Sequence, residues 1–369
     1  MKTSKFFFFG IITSILVSGI VSCADRIYKI DTQINSAGSG IRTIYAKGDS
    51  AFIAGDTSHN PFLFDYMQGW QLKVIDTVTA KKTDDYKNYN VFIQKSFRSI
   101  SELSASLSFR EEFRSFVVPK ERLEKHFRWF YTYYTFEAAY PQFSIPLPVS
   151  INKYMNKDEQ RCWFQGDFSN YRGMAGIEYK GDLDDIEQKF KDWWLRNEYE
   201  ISFNTVLHFA EQVVGNPLFS GLENVKDTLF VLNLKGTNKI DSLLDTDNRI
   251  PPKLVCDMLD VYYHTKDFST FYTKNKDEIN RYFEEQASLK EVPTGILLKY
   301  QLKLPGKVFS TNANRNRSYT LFWEIKGFQL YSSENYILTA ESRKINGWAF
   351  VITFLVGFGA LIFSLRKRK

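Results

Sequence analysis

The C-terminal stretch of the chain constrains its fold more than any other segment. Residues 347–365 are apolar or small and uncharged, and the first charge that follows them is Arg366. A helix of about 20 apolar residues spans the ~30 Å hydrocarbon layer of a bilayer, so this stretch predicts a transmembrane helix at 345–365. A buried core helix fits less well, because the stretch is long, uniformly apolar and followed by a basic cluster.

The two ends of the apolar stretch predict its orientation in a membrane. Trp348 stands where an aromatic anchor at the level of the lipid headgroups belongs, and a cluster of cations marks the cytoplasmic side. These four cations are Arg366, Lys367, Arg368 and Lys369. We therefore expect a single C-terminal span in a bacterial inner (cytoplasmic) membrane, a cytoplasmic tail at 366–369 and an extracytoplasmic bulk.

The N-terminus has the pattern of a secretory signal peptide over residues 1–22. Lys2 and Lys5 precede a long apolar region, and small residues precede Cys23. The residues Ile20-Val21-Ser22-Cys23 resemble the lipobox of bacterial lipoproteins, which predicts lipidation of Cys23. An ordinary cleaved signal and an uncleaved first span are the alternatives, and each leaves the following residue outside the cytoplasm.

The positive net charge of the chain is confined to its ends. Of the formal charge of +6, two units come from Lys2 and Lys5 and the rest from the tail at 366–369, so residues 6–365 are neutral. A basic surface for nucleic acid is therefore excluded, and the charge is a signal of topology. Aromatic residues make up 17% of the chain, which is enough to build a sizeable core.

The region outside the membrane begins with the alternation typical of strands. Tyr28, Ile30 and Ile34 alternate with polar residues, a turn is expected at 36–40, and the chain returns at 41–45. Further expected elements are strands at 70–75 and 90–97, short helices at 99–107 and 120–125, and a strand at 127–136. This last, aromatic run is interpreted as a central strand buried on both faces, with the wall of a ligand cleft as the alternative.

The middle of the chain has helical periodicity and the end returns to strands. Helices are expected from 182 to 214, from Pro252 and at 276–288, and strands at 298–304, 321–325 and 336–339. We predict an α+β fold whose N- and C-terminal strands share one sheet, with the helices inserted between them. The predicted parts are a β-rich part at 23–181, a helix-rich part at 182–290 and the returning strands of the same domain at 291–344.

The sequence contains few residues suited to catalysis or metal binding. Its four histidines, His59, His126, His208 and His264, make no zinc motif, and no G-x-S-x-G is present. Residues 245–248 begin like a calcium loop but lack its third oxygen ligand and its glycine. We predict no catalytic residue, metal ligand or cofactor. Cys162 and Cys256 are permitted to form a disulfide or to remain as two buried thiols.

The end of the chain resembles a known family. The resemblance is carried by Leu304-Pro305-Gly306-Lys307-Val308, Asn312-Ala313, Trp323 and Ala340-Glu341-Ser342-Arg343 before the span, together with the lipobox and the opening hairpin. These features are similar to those of LppM-like bacterial membrane lipoproteins. The resemblance implies a lipidated N-terminus, an N-terminal β-hairpin, a small α/β domain, one C-terminal span and a lipid-like ligand. The helical middle extends beyond the family pattern, and the family supplies no catalytic residues.

Three functional hypotheses follow from the sequence. The first is a non-enzymatic envelope lipoprotein that binds a lipid-like ligand or a partner protein at the membrane surface. The second is a membrane-tethered hydrolase that uses two carboxylates, for which Asp182, Asp184 and Asp185 are available, although a solvated helix start explains these residues more simply. The third is a eukaryotic type I membrane protein whose basic tail is a retrieval signal.

Overall fold

The computed structural model describes residues 26–66, 69–75, 88–109, 118–143, 147–171, 176–213, 217–235, 244, 249–317 and 319–367. The predicted signal peptide, Cys23, the segment 245–248, Arg368 and Lys369 lie outside these ranges. The chain divides into two compact units. Unit 1 is drawn from residues 1–144, 294–331 and 335–369, and unit 2 from residues 145–293 and 332–334.

Strands form most of unit 1 and are numbered in chain order. They are β1 (Arg26–Ile34), β2 (Gly40–Ala46), β3 (Phe64–Tyr66), β4 (Gln71–Val74), β5 (Val91–Phe97), β6 (Leu107–Phe109), β7 (Lys120–Arg128), β8 (Tyr131–Tyr140), β9 (Ile296–Lys303), β10 (Lys307–Thr311), β11 (Arg315–Arg317), β12 (Thr320–Lys326) and β13 (Tyr336–Ile345).

The α-helices are likewise numbered along the whole chain. They are α1 (Ser50–Ile53), α2 (Ile100–Ser104), α3 (Lys157–Gln160), α4 (Gly176–Ala210), α5 (Lys226–Asn233), α6 (Pro252–Tyr263), α7 (Asp267–Lys274), α8 (Lys276–Thr294) and α9 (Gly347–Arg366). A single π-helical turn, Arg161–Gln165, follows α3 directly, and short 3₁₀ turns connect several of the other elements.

The main sheet of unit 1 joins the two ends of the domain. Its seven strands have the order β11-β12-β9-β1-β2-β5-β4, in which β1 pairs antiparallel with β2 and parallel with β9. The prediction that early and late strands share a sheet is confirmed for β1, β9 and β12. The last strand, β13, differs: it pairs with β8 in a second, four-stranded sheet of order β10-β13-β8-β7.

A buried polar cluster connects the two sheets. The guanidinium of Arg42 on β2 donates to both carboxylate oxygens of Glu121 on β7, at 2.7 and 3.0 Å, and to the Tyr300 hydroxyl on β9 at 2.6 Å. Its Nε donates to Thr32 on β1 at 2.8 Å. Burial alone would lower the pKa of Arg42, but the Glu121 carboxylate raises it above its ordinary value. The cluster therefore joins the two sheets through charge-assisted hydrogen bonds.

The aromatic run at 127–136 is divided by a tight turn. Arg128 and Tyr131 face each other across the β7–β8 pair, so Trp129 and Phe130 form the tip of a hairpin. The expected strand exists as β8 and lies inside its sheet, but only one of its faces is fully buried. The short helix expected at 120–125 is wrong, because these residues pair with β8 as the exposed edge strand β7. Pairing with β8 determines the conformation of this polar segment.

Unit 2 contains the helices predicted for the middle of the chain, with changed boundaries. The expected start at Asp182 is wrong, since α4 begins at Gly176 and ends at Ala210, and α8 continues from Lys276 to Thr294. Asp185 pairs with Lys189 one turn later on α4, as on a solvated helix face. Cys162 and Cys256 are both buried free thiols, so no disulfide joins them.

The C-terminal helix α9 is long and apolar enough to cross a membrane. It is exposed over nearly its whole length: Ala349 is its buried residue, whereas Phe354 and Phe363 expose 68% and 70% of their surface. Continuous exposed apolar surfaces of this size mark sites of contact with another protein or with a membrane.

Candidate functional site

An open groove lies at the end of unit 1 from which α9 emerges. Its volume is about 480 Å³, and its walls are formed by residues 33–36 and 40–41 of the β1–β2 hairpin, residues 303–306 after β9, and Tyr319 before β12. Strands β1 and β9 are parallel, so their carboxyl ends meet at the same edge of the sheet. The groove is built on this edge.

Gly306 joins the floor of the groove to the segment that precedes α9. Its φ is +80°, and a Cβ added there would lie 2.2 Å from the carbonyl oxygen of Arg343, so only glycine fits. The Ser342 hydroxyl donates to the Pro305 carbonyl at 2.9 Å. Arg343 lies four residues before Gly347, which corresponds to about 13 Å of extended chain. The groove and the start of α9 are therefore close neighbours.

The turn between β1 and β2 is held by three strands of the second sheet. The Ser36 carbonyl accepts hydrogen bonds from Lys125 Nζ on β7 and from the Tyr134 hydroxyl on β8, both at 2.9 Å. The Ser36 hydroxyl accepts from Lys344 Nζ on β13 at 2.5 Å. These contacts fix one wall of the groove and bring two ammonium groups beside it.

The groove combines apolar walls with positive charge. Ile41 and Tyr319 expose 44% and 64% of their surface, which is high for residues of their type. Lys303 lines the groove, and none of the described lining residues is acidic. The one carboxyl on β1 is that of Asp31, which is half-buried; burial raises its pKa, while Lys29 and Lys303 oppose that shift. A ligand with an apolar body and an anionic head matches this arrangement.

A second feature of the same end is the contact between the β7–β8 hairpin tip and α9. The Trp129 indole donates to Thr353 Oγ1 at 2.8 Å, and its ring lies 5.3 Å from that of Trp348. Phe127 stacks on Trp348 at 6.1 Å, and Phe130 meets Phe350 at 4.6 Å. The tip is thereby fixed to the first two turns of the helix.

Asn346, which immediately precedes α9, holds the backbone of the tip. Its backbone N–H donates to the Phe130 carbonyl at 2.9 Å, and its amide donates to the carbonyls of Arg128 and Trp129 at 3.1 and 3.2 Å. Its side-chain oxygen accepts from the Thr132 hydroxyl at 3.0 Å. The side chain and the backbone N–H of this one residue thus satisfy the carbonyl groups of Arg128, Trp129 and Phe130.

The residues singled out by the sequence are distributed as follows. Trp348 lies in the first turn of α9, half exposed, and Arg366 and Lys367 lie at the far end of that helix. The predicted lipidation site, Cys23, and the last two cations lie outside the described residues. The structure thus brings Trp348 together with the hairpin tip and separates it from the described cations of the tail by the length of α9.

The histidines do not form a site among the described residues. His59 lies 2.7 Å from Asp49 on an exposed loop, His126 lies 3.3 Å from Glu124, and His208 stacks on Tyr282 at 4.5 Å. His264 ends α6 in the left-handed region. The described part of the chain contains no cluster of three His, Cys, Asp or Glu residues arranged to hold a metal ion.

Sequence reasoning missed the groove and the hairpin tip. Nothing in the alternation around Ser36 or Gly306 indicates that β1 and β9 are parallel neighbours. The local sequence therefore does not predict the groove. The tip had a local signal: Phe127 and Trp129 stand next to Lys125 and Arg128, the mixture of rings and cations found at membrane interfaces.

Comparison of the chain with profiles of known protein families, with curated protein sequences and with solved structures finds no match.

Proposed function

We propose that the protein is a membrane-anchored binding protein of the bacterial envelope. In this proposal α9 spans the cytoplasmic membrane, units 1 and 2 lie outside the cytoplasm, and lipidated Cys23 provides a second anchor, as the resemblance to LppM-like lipoproteins implies. The groove of unit 1 takes an amphipathic, lipid-like ligand with an anionic head group, and the protein binds this ligand without transforming it.

One observation carries the proposal: the groove adjoins the base of the helix. Gly306 lies against the backbone of Arg343, and Lys344 bonds the Ser36 wall, three residues before α9 begins. If α9 crosses the bilayer, the groove is within about 10 Å of its surface along the chain. A lipid can then pass between the bilayer and the groove without crossing a long aqueous path.

The chemistry of the groove supports a ligand of this class. Ile41 and Tyr319, the exposed large hydrophobic residues of the lining, offer apolar contact, and each buried CH₂ contributes about 0.8 kcal/mol. Lys303, with the neighbouring Lys344, offers positive charge for a phosphate or carboxylate head. The hydrolase alternative needs a pair of carboxylates facing one pocket, and nothing in the described lining of this groove favours it.

The test is a binding measurement on the full chain in detergent, with a fluorescent phosphatidylglycerol as probe. Ile41→Glu places a negative charge in the groove at a position already 44% exposed, so the core is spared. We expect binding to weaken about tenfold or more, equivalent to at least about 1.4 kcal/mol.

Leu72→Glu is the matched control, because Leu72 lies on β4 of the same sheet, outside the groove, and is 42% exposed. Equal affinities of the two variants would rule out the groove as the lipid site. A fluorescent phosphatidylcholine, whose head group carries no net charge, separates the contribution of the anionic head from that of the apolar body.

A further inference from the structure

The geometry points to a second membrane contact, in which the β7–β8 hairpin tip (residues 127–131) inserts at the boundary between the headgroups and the acyl chains and fixes the orientation of unit 1 on the bilayer. The inference rests on α9 spanning the bilayer, as proposed above, and is independent of any ligand in the groove. The partner is the lipid surface itself.

The depth of the tip follows from its contacts with α9. Thr353, which accepts the hydrogen bond from Trp129, follows Gly347 by six residues, or about 9 Å along a helix axis. The helix of 20 residues is about 30 Å long, the thickness of the hydrocarbon layer. A side chain bonded at that depth cannot remain in bulk water while the helix spans the membrane.

The composition of the tip suits the interface. Phe127 and Trp129 expose 57% and 46% of their surface, and the adjoining Trp348 exposes 50%. Arg128 lies over the Tyr133 ring and Arg343 over the Tyr131 ring, at 5.7 and 5.3 Å. Aromatic side chains concentrate at the headgroup level, and cations beside them reach lipid phosphates. Exposed rings of this kind would be unfavourable in water.

The backbone carbonyl groups of the tip are hydrogen-bonded within the protein and do not need water. A turn normally leaves carbonyl groups to be hydrated, and an unsatisfied carbonyl costs several kcal/mol inside a bilayer. Here the carbonyls of Arg128, Trp129 and Phe130 all accept hydrogen bonds from Asn346. This arrangement removes the main cost of placing a hairpin turn among lipids.

The experiment uses the full chain in nanodiscs and lipids brominated either near the headgroup or deep in the acyl chain. Bromine quenches tryptophan fluorescence at short range. Of the seven tryptophans, Trp129 and Trp348 are the two at the tip. We expect shallow bromines to quench the protein, and Trp129→Phe to remove about half of the quenchable emission, because two indoles share this depth.

Two further variants make the outcome decisive. Trp323→Phe removes a buried indole of the main sheet and should leave the quenched emission unchanged. Phe358→Trp puts an indole in the middle of α9 and should be quenched best by deep bromines. If deep bromines quench the indole introduced at position 358 while Trp129→Phe loses no more quenchable emission than the wild type, the hairpin does not enter the lipid. If deep bromines do not quench the indole at position 358, α9 does not span the bilayer, and the inference about the hairpin tip is contradicted as well.

Discussion

Arg42 illustrates what a single buried charge requires in this fold. Its side chain and that of Glu121 are 3% and 1% exposed, and the guanidinium donates to Glu121, Tyr300 and Thr32. An ion pair buried this deeply contributes little net stability, because both charges lose their hydration. Removing one partner is different, since it leaves the other charge without compensation.

We therefore expect Glu121→Gln to lower the free energy of unfolding by about 3–5 kcal/mol, because the Arg42 charge stays buried without its partner. The double variant Arg42→Met with Glu121→Leu should lose less, since it removes both charges. Urea unfolding of the full chain in detergent measures the difference. Glu137→Gln, which removes one of the two carboxylate partners of the exposed Arg122, is the control and should cost no more than about 1 kcal/mol. Similar losses in the two single variants would contradict the role given to the cluster.

The two thiols of unit 2 lead to a prediction about pH. Burial raises the pKa of Cys162 and that of Cys256 to about 12, from an ordinary value near 9. Between these values the folded state binds more protons than the unfolded state, so the free energy of unfolding should fall as the pH rises from about 9 to 12. Below about pH 8 these two groups should not affect it.

Reaction with a maleimide at pH 8 checks the same residues directly. In the folded chain both thiols should react far more slowly than a free cysteine, and urea should release them without a reductant. Cys256→Ala should remove one equivalent. Rapid labelling of Cys162 or Cys256 in the folded chain, or labelling of either that requires a reductant, would contradict the buried free thiols.

Individual site residues were hard to predict because their partners are distant in sequence. Arg42 and Glu121 are 79 residues apart, and Lys344 and Ser36 are 308 apart. A single arginine in an alternating segment is normally predicted to lie on the surface. The burial of Arg42 depends on the second sheet, which the sequence does not predict. By contrast, the interfacial position predicted for Trp348 is inferred from its neighbours along the chain alone.

At the scale of elements, the central pair of strands β1 and β9 holds unit 1 together. Every residue from Arg26 to Gln33 has a partner between Ile296 and Lys303, and β12 extends the sheet beyond β9. A two-stranded hairpin is marginal in water, so the β1–β2 hairpin depends on this neighbour. A substitution that destabilises β12 should therefore also destabilise the β1–β2 hairpin near the start of the chain.

Trp323→Ala tests this dependence. The side chain is 1% exposed, packs edge-on against Tyr300 at 5.9 Å and donates to Asn312 at 2.9 Å. Its removal should cost about 3–5 kcal/mol, as for a large buried aromatic residue. In hydrogen exchange on the full chain, protection should fall at 28–45 as well as at 296–326. Glu324→Ala, exposed on the same strand, should change neither region. Unaltered protection at 28–45 in Trp323→Ala would mean that the two segments are separate folding units.

Elements with a clear period were predicted best. Ser99 caps α2 by accepting from the Glu102 N–H, as its spacing indicates, and α6 starts at the expected proline. The β7–β8 hairpin was misread, because seven of the ten residues at 127–136 are aromatic and such a run hides its own turn. The turn is stabilised by Asn346, far along the chain, and no local propensity indicates that contact.

At the scale of the whole molecule, the return from helical to alternating periodicity near Gly295 revealed the insertion. The chain leaves unit 1 after β8, builds unit 2 and comes back at β9. The second sheet was not predicted, because it pairs β8 with β13 across that insertion. The apolar helix needed no such long-range information, since its length and composition are local properties of the sequence.

The orientation of the molecule gives the last prediction. Arg366 to Lys369 supply four cations on one side of α9, against Arg343 and Lys344 immediately before it, so the C-terminus should face the cytoplasm. Protease added to spheroplasts should then digest units 1 and 2 and spare a C-terminal tag. Adding detergent should expose the tag, which confirms that the membrane protected it.

Two cations in and beside the hairpin tip also lie near the start of α9, so their effect on topology has to be tested separately from that of the tail. Lys125 and Arg128 lie on the same side as Arg343 and Lys344, and folding brings them together near the start of α9. They are distant in sequence from the span, however, and the bias that sets topology counts cations close to the helix in short loops. Changing Lys125 and Arg128 to serine should therefore leave the tag protected, whereas changing all four tail cations to serine should increase the fraction of chains whose tag is digested. Digestion of the tag in intact spheroplasts of the unaltered chain would reverse the proposed orientation and move the groove to the cytoplasmic face.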